Sequence, residues 1–435
     1  MQKHTRIVLS CTLATAMLVF TYWISNLPYQ IPVENPEKSI LSFLEQIKEG
    51  LHFKEKDGEN DALFINLAFD KAIAIAHDTL SSSELEPENR PVLGRTAITD
   101  RSKLIQLLKY LKEKNNYRYI LLDVFFENNI STEWDEELFE LILSMPRIVI
   151  PYHRDAKIAD ERLLAKAGLA DYTQTRYESD FVKYSFVYGK ELSLPVRMYE
   201  DMTGRKILKH GFIYTDGFSL VRKSLFMVFN HTKINYFNLG SDLLGDSIPG
   251  EKFGDAADWL YSVPELTEDK YIVAGSFVGN DDMHSTYLTS MPGAVINFDA
   301  YTTLMNGGHK YSFWIMVVIW MIFFFHGYII ISRPAWEVEE ERKRAETTMN
   351  NPIRKTGRIK QKLLSTSWIK KGLLLYVLLI FTYGISGEVY DIFITSFVFT
   401  LLDYFVTHRK QIRTLRLGIN KKIIRTKNHS KKSWK

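Results

Sequence analysis

Residues 271–277 read YIVAGSF and residues 291–295 read MPGAV. From Tyr311 to Ile331 the chain then runs 21 residues without Asp, Glu, Lys or Arg. The stretch from Lys270 to Ile331 decides the fold. Its head is a short β-like run, followed by a polar, turn-rich segment from Val278 to His284. Asn297 to Met305 then carries a helical pattern closed by Gly307-Gly308, and Tyr311 follows within three residues. At about 1.5 Å of rise per residue, the uncharged stretch covers a hydrocarbon core of roughly 30 Å. A polar domain therefore ends in a helix that feeds a membrane span almost directly.

Three more apolar segments lie outside this stretch. Residues 7–26 form an N-terminal span preceded by Lys3 and Arg6. A cleaved signal peptide with Ala14-Thr15-Ala16 as its small-residue site is the rival reading, but Met17-Leu18-Val19-Phe20 continues the apolar run beyond it. Residues 372–387 and 389–408 read as a helical hairpin turning at Gly387-Glu388. Charge is segregated around these spans. Residues 27–310 hold 31 Lys and Arg against 43 Asp and Glu, a net of −12. The 333–371 region holds 11 against 5, and residues 409–435 hold 11 basic and no acidic side chains. Basic loops stay in the cytoplasm, so four spans place residues 1–6, 332–371 and 409–435 inside and the acidic block outside. This charge pattern reads as topology before it reads as nucleic-acid binding, and no nucleic-acid partner is expected. The one cysteine, Cys11, excludes an intrachain disulfide.

Within residues 27–310 the pattern alternates. Strands are expected at Ala62–Phe69, Tyr119–Glu127 and Arg147–Tyr152, with amphipathic helices from Leu104 to Leu111, capped by Asp100, and from Trp134 to Leu143. Further on, strands are expected near 185–188, 211–214 and 235–239, and helices at Leu192–Met202 and Phe218–Phe229. Residues 39–48 carry a helical pattern, and residues 78–90 read as a solvated loop. Alternating strands and helices argue for one α/β domain with parallel pairing, carried by one N-terminal and three C-terminal transmembrane helices.

Several motifs recur in a familiar order: Gly94…Thr99-Asp100-Arg101, then Ile120 to Glu127, then Ile272-Val273-Ala274-Gly275-Ser276, a polar loop, and Met291 to Asn297 with Ala300…Leu304-Met305-Asn306-Gly307. Together they resemble the type-two CHASE domain, a cyclase- and histidine-kinase-associated sensory extracellular family. The resemblance covers about residues 60–310, and the span arrangement extends it to 408. It implies an extracytoplasmic α/β sensor in a bacterial inner membrane, with three closing spans and a cytoplasmic output module. After residue 408 only 27 basic-rich residues follow, without kinase, cyclase or Walker motifs. The expected output is therefore a cytoplasmic signalling partner at the 332–371 loop or the 409–435 tail. The tail is also basic and apolar enough to lie on anionic lipid.

In open α/β sheets, ligands bind beyond the carboxyl ends of parallel strands. Asp70, Asp123 and Glu127 stand at such ends, and Asp281, Asp282 and His284 lie in the loop after the 271–277 strand. Arg101, with Arg95, could pair with them. The candidate ligand-binding set is Asp70, Arg101, Asp123, Glu127, Asp281, Asp282 and His284, for a small polar ligand or a divalent cation. The competing assignment for Asp70, Asp123 and Arg101 is helix capping and internal ion pairing. Hydrolytic chemistry would need Ser276 or Ser285 with His284, but no Gly-x-Ser-x-Gly elbow surrounds either serine. No enzyme activity, cofactor or zinc site is expected. The alternative function class is an envelope scaffold whose α/β domain binds another protein. A homodimer is compatible with either.

Overall fold

The computed structural model describes residues 3–26, 61–76, 94–171, 183–188, 191–227, 229–232, 234–239, 264–279, 282–286 and 288–332. The chain forms two compact units, Met1–Asn26 with Tyr311–Lys435, and Leu27–Lys310. The helix expected at 39–48, the loop expected at 78–90, the spans expected at 372–387 and 389–408, and the basic stretches 333–371 and 409–435 expected in the cytoplasm lie outside the described residues.

In the first unit, helix α1 (Lys3–Ser25) is long and apolar enough to cross a membrane. The other described helix of this unit, Phe313–Ser332, contains a shorter apolar stretch, Phe313–Ile329. The Trp320 indole donates to Thr15 Oγ1 at 3.1 Å, tying the two together through a polar contact on otherwise apolar faces.

The second unit is a mixed α/β domain. Numbering only the strands of its main sheet, these are β1 (Ala62–Asn66), β2 (Tyr119–Leu122), β3 (Ile148–Tyr152), β4 (Ala167–Leu169), β5 (Tyr236–Asn238) and β6 (Tyr271–Gly275). They pair in parallel throughout in the order β5-β1-β6-β2-β3-β4. Continuous apolar runs such as Tyr119-Ile120-Leu121-Leu122 and Tyr271-Ile272-Val273-Ala274 follow from burial on both faces. Helices α2 (Arg101–Lys114) and α3 (Asp135–Ser144) cover one face, packing Leu104, Leu108, Leu111, Leu138 and Ile142 on Ile65, Ile120, Ile148 and Ile272. Helices α4 (Leu194–Thr203) and α5 (Gly293–Met305) complete the α-helices of this unit among the described residues, beside the 3-10 turns Glu161–Ala165 and Pro264–Thr267. On α5, Phe298 and Tyr301 meet Tyr271, with ring centroids 5.7 and 5.3 Å apart, and Phe298 meets Phe64 at 5.9 Å. Every α5 residue from Gly293 to Tyr301 is buried, the polar Asn297 and Asp299 included, so this helix belongs to the interior.

The expected elements match with small shifts, and three differ. Asp100 caps α2 as expected, its Oδ1 accepting from the Ser102 and Lys103 amides at 2.9 and 3.3 Å. The strand expected to reach Glu127 ends at Leu122, because the Val124 amide turns back to the Leu122 carbonyl at 2.9 Å and leaves the sheet. The helix expected at 218–229 is replaced by strands Ser219–Val221 and Ser224–Phe226. Gly217, at φ 58°, and Phe218 make a two-residue loop that pairs Asp216 with Ser219, so local turn chemistry overrides the apolar pattern. Helix α5 begins at Gly293, four residues ahead of the expected start at Asn297.

Candidate functional site

The site follows from the strand order. β1 is the first strand and β2 the second, yet β6, the last, lies between them, while β3–β4 and β5 extend the sheet in opposite directions. The crevice where such a sheet reverses, outside the carboxyl ends of its strands, is where open α/β sheets take ligands. Here those ends are Asn66, Gly275 and Leu122-Asp123, set side by side by the register Asn66–Gly275 and Ala274–Leu122.

Asn66 fastens this edge. Its Oδ1 accepts from the Ala68 and Phe277 amides at 3.2 and 3.0 Å, and its Nδ2 donates to Asn238 Oδ1 at 2.8 Å. Two glycines let the remaining groups close in. A Cβ on Gly275 would lie 2.9 Å from Ala294 Cβ and 3.3 Å from Asp123 Cβ. A Cβ on Gly293 would lie 2.6 Å from Asp282 Oδ2. The polar loop after β6 returns through the antiparallel pair Met283–Ser285 and Ser290–Pro292, which delivers Asp282 to the start of α5. The Gly293 amide donates to Asp282 Oδ2 at 3.1 Å and to the Asp282 carbonyl at 3.0 Å. Pro292 makes no side-chain cap, so Asp282 supplies the negative group that a helix N-terminus favours.

A cleft of about 750 Å³ opens on this edge, its wall including Asp123, Asp282, His284, Asn297, Phe125 and His153. A smaller chamber of about 220 Å³ shares Asp123, Phe125 and Ser276 with it and adds Lys71, Arg101 and Glu127. Burial, reinforced by the charge of Asp282, pushes the Asp123 carboxyl well above the usual carboxylate range. Among the described residues no side chain donates a hydrogen bond to it. The His284 ring lies 3.2 Å from Asp282 Oδ1, and the Tyr184 hydroxyl donates to the buried Asn297 Oδ1 at 2.8 Å. On the rim, His153 Nδ1 is 2.8 Å from Asp171 Oδ1, and Arg154 Nε donates to Glu191 at 2.7 Å.

Of the residues expected from sequence, the structure brings Asp123, Asp282 and His284 together in the cleft. Glu127 and Arg101 line the adjoining chamber, where Arg101 is ion-paired with Asp135 and lies 5.7 Å from the centre of the Phe126 ring. Asp70 is elsewhere: it is buried against Lys103 Nζ at 2.9 Å and lines neither cavity. Arg95 lies in the strand Gly94–Thr99, in register with Ile75. Asp281 lies outside the described residues. Sequence reasoning missed Asn66, His153, Asp171 and Asn297. Asn66 and Asn297 carry a signal in hindsight, each being an amide beside an apolar run. His153 and Asp171 carry none, because only the pairing of β3 with β4 makes them neighbours.

A family model described as CHASE2 domain matches residues 64–330. No curated protein and no solved structure matches the chain.

Proposed function

The chain belongs to the CHASE2 domain family, a family of sensory extracellular domains, and from that premise we propose that it is a membrane-anchored sensor. In this reading the crevice at the carboxyl ends of β1, β6 and β2 binds a small polar solute outside the cell, and α5 carries the change toward the membrane. The observation that carries it is the attachment of Asp282 to the first amide of α5. A solute that draws the Asp282 carboxylate toward itself weakens that attachment and alters the start of an interior helix. The same helix ends at Met305, and residues 306–312 alone separate it from the Phe313–Ser332 helix.

Four spans, with both termini and the 332–371 loop in the cytoplasm, complete the proposal on the strength of the charge segregation. An output partner would then meet the basic loop or tail. The test is a thermal-shift screen of small polar solutes on the full chain in lipid nanodiscs, run in parallel on Asp123→Asn. The reading expects solutes that stabilise the parent protein and not the variant, with altered hydrogen exchange at the amides of Gly293–Val295. Solutes that stabilise both proteins equally and leave those amides unchanged would count against it.

A further inference from the structure

Taking the cleft as the ligand site, we propose that its ligand class is a small organic ammonium whose charged nitrogen sits between Asp123 and Asp282. The charge balance of the cleft leads there. Among the described residues its wall carries Asp123, Asp155, Asp171 and Asp282 against one guanidinium, Arg154. Arg154 already donates to Glu191, and Asp171 is held by the His153 ring. Asp282 receives the Gly293 amide and lies beside the His284 ring. Asp123 is half-buried on the cleft wall, with no side-chain donor among the described residues and the like charge of Asp282 beside it. A carboxyl partly withdrawn from water without a donor is costly, and a ligand that brings both a positive charge and N–H donors removes that cost.

Three further features narrow the class. The cleft has the volume of a site for an organic molecule, far beyond what one bare ion fills. Among the described residues no three His, Cys, Asp or Glu side chains converge as metal ligands. The Phe125 ring forms part of the wall and is met edge-on by His153 at 5.0 Å, and an aromatic face attracts ammonium groups. Asn297 adds the other half of recognition. Its Oδ1 is taken by Tyr184, which leaves its amide nitrogen as a donor for a neutral acceptor on the ligand. The adjoining chamber bears Lys71 and Arg101, so the acidic wall of the larger cleft is where a cation is favoured.

A size-matched series tests the chemistry: putrescine, 1,4-butanediol and succinate share four carbons and differ in their end groups. Magnesium chloride is the metal arm. Each is titrated calorimetrically into the full chain in nanodiscs, and into Asp123→Asn and Asp282→Asn. The expected result is saturable binding of putrescine alone, weakened at least tenfold in Asp123→Asn and reduced in Asp282→Asn. Putrescine bound equally by the parent and both variants overturns the proposal. Diol, succinate or magnesium binding that Asp123→Asn abolishes overturns the ammonium class while leaving the cleft as a ligand site. Silence from all four probes overturns both the class and the cleft.

Discussion

The Gly293 amide donates to Asp282 Oδ2 at 3.1 Å, in a space that one methyl group would fill. This contact explains the Met-Pro-Gly run in physical terms. Pro292 ends the returning strand, and Gly293 starts the helix with no side chain to keep the carboxylate away. Gly293→Ala is expected to destabilise the domain by about 1–3 kcal/mol, the usual cost of overpacking. Chemical denaturation measures it. Pairing the change with Asp282→Ala, which removes the crowded carboxylate, is expected to recover part of the loss.

Gly275 makes the second close approach, with Ala294 Cβ 2.9 Å from where its own Cβ would be. Gly275→Ala is expected to cost a similar amount and to displace Asp123, whose Cβ lies 3.3 Å away. Ala294→Gly in the same chain opens the space again, so the double variant is expected to be more stable than Gly275→Ala alone. A double-mutant cycle on melting temperature checks this coupling.

Asp123 gives the domain a pH dependence. Its carboxyl is raised by burial and by Asp282, so the folded protein holds a proton that the unfolded chain releases at the ordinary carboxylate pKa. The stability from this group is complete below that ordinary value and is lost as pH rises through the raised one. Asp123→Asn abolishes this loss and is expected to make the solute-free protein more stable at neutral pH. Denaturation curves at pH 4 and pH 7 on both proteins measure the difference.

Much of this arrangement was legible in the residues. The runs at 62–66, 119–122, 148–152 and 271–275 are apolar enough to declare buried parallel strands, and Asp100 declares the start of α2. Asp123, Asp282 and His284 were legible because strand ends and the loops after them gather on one edge. The position of β6 between β1 and β2 was not legible, since strand order depends on which faces α2, α3 and α5 cover. Asp70 and Asp123 therefore look alike in sequence, each an acid after an apolar run. One meets Lys103 in the interior and the other opens on the cleft. The strands at 219–221 and 224–226 were hidden because Leu220, Val221, Leu225 and Phe226 also fit a helical face, and the Gly217 loop decides the matter.

Where the domain hands over to the next helix, His309 is buried with its Nε2 3.3 Å from Asp216 Oδ2, which also accepts from the Tyr199 hydroxyl at 2.9 Å and pairs with Lys310 at 2.9 Å. Burial lowers the His309 pKa from 6.5 to about 4, against the pull of Asp216. The neutral ring contributes stability that is present above pH 6.5 and is lost as pH falls through about 4. His309→Gln is expected to flatten the stability profile across that window, as read by melting temperature against pH.

The orientation of the acidic domain is tested most directly by one labelling measurement. Phe218 stands fully exposed at a loop tip, and Cys11 is the one native thiol. In a Cys11→Ser, Phe218→Cys chain, a membrane-impermeant maleimide applied to intact spheroplasts is expected to label the protein fully, with no gain on lysis. Labelling that appears only after lysis would put the domain in the cytosol and contradict the sensor account.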